Sequence, residues 1–199
     1  MPKILLKAAV SATLLSFFLV TFVFAQNNGL PSASQEINSH PLSTQDKQFL
    51  DNLAKDSQGE VEVAQYVESK TNNPKVKEFA QRMIHDHTIL DAEVKEVMDK
   101  HSMSMPQPMT AEQQQLLSKL KNESGKQLDQ TFMEAQVKGH EEDLSKITPE
   151  AEHEARLQPI DPTVGEVAQE ARPVIAEHLR LAKEVARDVG VNSATAGGK

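Results

Sequence analysis

A chain of 199 residues with a formal charge of −8 and no cysteine excludes several function classes at once. Neither disulfides nor thiolate metal sites can form, and so acidic a chain is a poor partner for the phosphate backbone of nucleic acid. With one tyrosine, seven phenylalanines and no tryptophan, the core falls to aliphatic side chains, which suits helices better than strands.

Residues 1–25 read as a secretory signal. Lys3 and Lys7 give a basic start, Ala8 to Ala25 is an apolar run, and Val23-Phe24-Ala25 supplies small residues for cleavage after Ala25. The competing reading, an uncleaved membrane anchor, calls for a longer apolar run. No cysteine follows, so a lipoprotein anchor is excluded. Cleavage leaves 174 residues at a charge of −10 and places the protein in the periplasm or outside the cell. No later segment is long and apolar enough to span a membrane. Four phenylalanines leave with the signal, and Phe49, Tyr66, Phe79 and Phe132 remain as the aromatics.

Residues 26–43 are polar, hold Pro31 and Pro41, and read as a flexible linker. The pattern over residues 44–189 then predicts one helical domain. Ser43 with Asp46 opens a first helix running to about Lys70. Its stripe is Phe49, Leu53, Ser57, Glu60, Ala64 and Val67. Pro74 suits the first position of a second helix, whose face is Val76, Ala80, Met83, His87, Leu90, Val94 and Val97, widened by Phe79 and Ile84. Residues 101–109 form a loop with two prolines. Thr110 with Gln113 starts a short helix bearing Leu116, Leu117 and Leu120. Ser124-Gly125 breaks the pattern before a helix with Leu128, Phe132, Gln136, His140, Leu144 and Ile147. Thr148-Pro149 is expected to disrupt that helix, with an acidic irregular segment to residue 162. A last helix carries Val164, Val167, Ala171, Val174, His178, Leu181 and Val185. Pro173 stands inside it, Gly190 ends it, and residues 190–199 read as a disordered tail. The expected fold is all-α: four long helices in an up-down bundle, with a short extra helix before the third long one.

Each long stripe carries a polar residue near its middle: Glu60, His87, His140 and His178. At about 1.5 Å of rise per residue, Glu60 and His87 reach similar heights on antiparallel helices. His140 would lie about 45 Å along an unbroken helix from Thr110, so the levels agree only if the chain breaks at Ser124-Gly125. A buried unpaired carboxylate costs several kcal/mol, and a buried imidazole without partners about 1–3 kcal/mol. Four such groups are tolerable together, and two readings stand. They bind one divalent ion such as zinc, copper or iron, or they form a metal-free polar cluster. Asp91, one turn from His87, is a candidate fifth ligand or an orienting group.

The stretches VKEFAQRMIHDHTIL, LDQTFMEAQVKGHEEDL and ARPVIAEHLRLA, with Glu60 in SQGEVEVAQ, resemble the exported ferritin-like family known as domain of unknown function 4142. The resemblance spans roughly Thr44 to Val189 and implies a ferritin-like helical bundle in a bacterial cell envelope, with no established activity. Leu128-Asp129 stands where the family has an FD-like pair. Di-iron bundles use Glu-x-x-His on two helices. Here the residues three before His87, His140 and His178 are Ile84, Val137 and Ile175, so no bridging carboxylate is present and any ion is expected to be single.

Met103, Met105 and Met109, near His101, offer soft donors suited to Cu(I). They read either as a copper-handling loop or as a methionine-bearing hinge. His85, His40 and His153 read as solvated. Neither a Gly-framed serine nor a Gly-rich phosphate loop appears, so nothing positive points to an enzyme. A metal-free stress or envelope interaction protein is the alternative to metal binding.

Overall fold

The computed structural model describes residues 41–154 and 162–191, with the side chains of 149–154 and 162 outside the description. The expectations for residues 1–25, most of the linker, His40, the His153 side chain, most of the acidic segment and the tail past 191 fall outside the described residues. Among those described there are five helices and no strand: α1 Thr44–Lys70, α2 Pro74–Lys100, α3 Ala111–Leu120, α4 Gly125–Glu154 and α5 Pro162–Val189. None is long and apolar enough to cross a membrane.

The helix ends follow local chemistry. Ser43 and Asp46 close a capping box on α1, and Thr110 and Gln113 close one on α3. Asn73 caps α2 ahead of Pro74 at its first turn. Two helices end in Schellman geometry. At α5, Gly190 (φ 86°) lets Val191 N–H reach the Ala186 carbonyl at 2.8 Å. At α2, Ser102 takes the same left-handed conformation (φ 56°) and Met103 N–H reaches the Met98 carbonyl at 2.8 Å.

The break before Gly125 is present, and it sets the chain's course. Gln81 on α2 bonds Glu68 on α1, so these neighbours are antiparallel. Lys75 at the start of α2 pairs with Asp188 at the end of α5. Gln130 near the start of α4 bonds the Val189 carbonyl. The Thr71 hydroxyl donates to buried Asp129 at 2.6 Å, tying the α1–α2 turn to the same end of α4. Helices α2 and α4 thus both run away from one shared end, while α1 and α5 run toward it. The alternation expected of the four long helices holds only when α3 is counted. From Gln113, bonded to the Asp56 carbonyl, α3 carries the chain back to Leu120, whose carbonyl accepts from Tyr66.

Helix α4 continues through Thr148-Pro149, against expectation. One proline removes one helical hydrogen bond. Packing outweighs that loss: α4 lies along α5, and Ile147 is buried two residues before the proline. Helix α5 spans exposed Pro173 as one helix, as the sequence pattern placed it. Other departures are small. Leu42, at the end of the expected linker, is buried in the core. On α5 the buried positions fall on Ile175 and Ala182, with Val174 and Leu181 half-buried beside them. Phe49 and Leu53 are half-buried, because Leu50 and Ala54 take the interior of α1.

The apolar core is divided. One cluster, around Val67, Met83, Phe132 and Ala186, sits toward the shared end. A second, around Leu50, Leu90, Val94 and Ile175, sits toward the other. Between them every long helix presents polar side chains, and there the site lies.

Candidate metal centre

Counted from the shared end, Glu60 stands 10 residues before Lys70, His87 13 after Pro74, His140 15 after Gly125 and His178 11 before Val189. At 1.5 Å per residue these heights differ by little more than one helical turn. The three imidazoles meet. Ring centroids are 5.3 Å apart for His87–His178, 5.4 Å for His140–His178 and 6.1 Å for His87–His140. One nitrogen from each lies within 4.8 Å of the others. Residual exposure is 6% for His87, 1% for His140 and 0% for His178.

The outer nitrogens are engaged, and their partners fix the tautomers. His140 Nδ1–H donates to the Gln136 carbonyl at 2.9 Å. His178 Nε2–H donates to Asp86 Oδ2 at 2.9 Å, and Arg82 clamps the same carboxylate from one turn away. His87 Nδ1 lies 3.1 Å from the Ser57 hydroxyl. That hydroxyl uses its proton on the His87 carbonyl at 3.3 Å, so Nδ1–H is the donor to it. Each ring is therefore held by a donated N–H, with its other nitrogen left as a lone pair. For His87 Nε2 and His178 Nδ1 that lone pair is buried and has no partner.

Burial disfavours the charged imidazolium. It drives His87 well below the usual histidine range, helped by His140 and His178. Burial likewise brings His178 down to about 4, against the opposing pull of Asp86. Burial works to raise Asp86, yet hydrogen bonds from Arg82 and His178 hold it below its ordinary value. Neutral imidazoles are the ligand form that metals require.

Glu60 is 9% exposed and accepts from Gln136 Nε2 at 2.7 Å. That bond orients the Gln136 amide and leaves its Oε1 buried without a donor. Among the described residues, neither Glu60 nor Asp91 joins the group of donor atoms within metal-ligand range; the group is His87, His140 and His178. Asp91 lies beside Ser57, is raised by burial, and keeps one buried oxygen unpartnered. Asp86, Asp143, Ser57 and Gln136 belong to this neighbourhood without having been picked out as site residues. Ser57 and Gln136 already stood on the helix stripes one turn from Glu60 and His140. Asp143, one turn beyond His140, was signalled by that spacing alone.

The methionines do not converge in the apolar core. Met103 and Met105 pack against the cluster around Leu50, and Met109 against the one around Phe132. His85 is largely exposed, as expected.

No match was found among curated proteins or among solved structures. A family model described as "Domain of unknown function (DUF4142)" matches residues 31–185, which include all three histidines and most of the five helices. The chain belongs to the DUF4142 family.

Proposed function

We propose that this protein is an exported, ferritin-like helical bundle that holds one divalent metal ion on His87, His140 and His178. One observation carries the reading. Two of the triad's inward nitrogens, His87 Nε2 and His178 Nδ1, are buried lone pairs without a hydrogen-bond partner. Satisfied buried groups are the rule in native proteins, and a cation at the triad answers the deficit where another hydrogen-bond acceptor cannot. Three imidazoles suit zinc, copper or iron. Asp86 on His178 is the carboxylate–histidine pairing that orients and strengthens metal ligands. The course of the chain, with α3 returning it between α2 and α4, supports the ferritin-like reading, since such bundles carry one long crossover. A single ion with no Glu-x-x-His pair argues for a role other than di-iron chemistry. The signal-like residues 1–25 support export, which predicts a mature amino terminus at Gln26 by mass spectrometry.

Elemental analysis and calorimetric titration of the purified protein test the metal. Wild type should take up one zinc, copper or iron ion per chain, and His87→Ala/His140→Ala should lose that binding. Asp86→Ala should weaken it by about 10–100-fold. Equally poor binding of all three metals by wild type and the double variant would sink the proposal and leave a metal-free polar layer.

A further inference from the structure

A pocket of about 260 Å³ opens beside the triad, with walls from all four long helices. Its lining combines the apolar side chains Phe49, Leu53, Leu90, Ile147 and Ile175 with the carboxylates Asp56, Glu60 and Asp143, and His87 lies on it as well. Among the described residues the lining holds one cation, Lys146, which lies 3.5 Å from Asp143 and is largely exposed.

We infer that this pocket binds a small organic cation, an alkyl- or arylamine whose ammonium group meets Asp56 and Asp143 while its apolar body lies against Phe49, Leu53 and Leu90. Four observations carry this. The pocket is short of positive charge, with three carboxylates facing one exposed lysine. Burial, then Asp143, pushes Asp56 up to about 6, and burial raises Asp143, with Glu60 adding to it against His140. The lining includes His87, more than nine-tenths buried, whose Nε2 has no partner. Phe49 and Leu53 lie on the helical stripe of α1 yet stay half-exposed, leaving apolar surface where a ligand's hydrocarbon could cover it. An apolar cavity with a few convergent polar groups of displaced pKa is the usual form of a small-molecule site. An anion would meet the carboxylates, and a purely apolar guest would strand them. A second metal ion finds no second group of donors within ligand range among the described residues. This inference does not require an ion on the triad.

The test uses the full chain freed of metal by chelation, titrated calorimetrically with 2-phenylethylamine, 2-phenylethanol and phenylacetate. The amine should bind ~10-fold or more tightly than the alcohol, a difference within reach of one charge pair in a partly buried site, and phenylacetate should bind more weakly still. Asp56→Asn/Asp143→Asn should abolish the preference for the amine, and Leu53→Trp, which fills part of the pocket, should weaken both amine and alcohol. The His178→Ala variant, which removes a proposed metal ligand and no residue of the pocket lining, should keep the preference while losing the ion, so the two readings fail separately. Equal affinity for amine and alcohol, no binding of the amine, or a preference that survives Asp56→Asn/Asp143→Asn would overturn the inference.

Discussion

Asp56 shows how a single side chain records its surroundings. Its pKa is raised to about 6, chiefly by burial and then by Asp143, so the folded state holds its proton more tightly than the unfolded chain does. The stabilisation is fully present below pH 3.8 and is lost as pH rises through 6. Linkage alone gives about 3 kcal/mol, which solvent screening at this half-buried position reduces to roughly 1–2 kcal/mol. Asp56→Asn should therefore stabilise the protein by about that amount at pH 7, with the advantage vanishing near pH 4, as read from urea unfolding at both pH values. The three histidines were legible as polar interruptions of apolar stripes. Asp86 was not, because its role is to reach from the edge of α2 to His178 on a different helix, and that pairing depends on how α2 rotates against α5. Glu60 looked equivalent to the histidines on its stripe. Its carboxylate instead meets Gln136, which contributes an amide where the pattern showed only a polar position.

The elements are well announced by their ends. Ser43, Pro74, Thr110 and Gly190 each mark a boundary through a side chain or a backbone conformation that physical chemistry assigns to that place. The course of α4 beyond Pro149 was hidden for the opposite reason, since tertiary packing overrides a local breaker. Docking of α3 rests on a close approach that no pattern displays. Gly59 lies under Gln113, and a Cβ built there would stand 2.0 Å from Gln113 Oε1. The same glutamine completes the α3 capping box and bonds the Asp56 carbonyl at 2.9 Å. Gly59→Ala should displace it and cost about 1–2 kcal/mol through the lost cap and hydrogen bond, despite the better helix propensity of alanine. The loss should appear as a lower urea midpoint, together with faster amide exchange across Ala111–Leu120.

At the scale of the whole molecule, the proposed ion on the triad would join four helices at once, though only three would supply ligands. His87, His140 and His178 come from α2, α4 and α5, and Ser57 links α1 through its bond to His87. Binding to the folded chain alone stabilises it by ~2.7 kcal/mol at a free concentration 100 times Kd. Zinc at that excess should raise Tm by roughly 5–10 °C in a chain of this size, measured by differential scanning calorimetry. The His87→Ala/His140→Ala variant should show no such rise.

The polar layer that separates the two apolar clusters also bears on cooperativity. An ordinary core transmits unfolding through continuous side-chain contact, whereas here the halves communicate across three imidazoles, an amide and a carboxylate. Without an ion, the half around Leu50 and Val94 should open on its own, giving amide protection in two tiers on native-state hydrogen exchange. Zinc should merge the tiers into one. The triad then acts less as a stabiliser of either half than as the rivet that makes two cores unfold as a single unit.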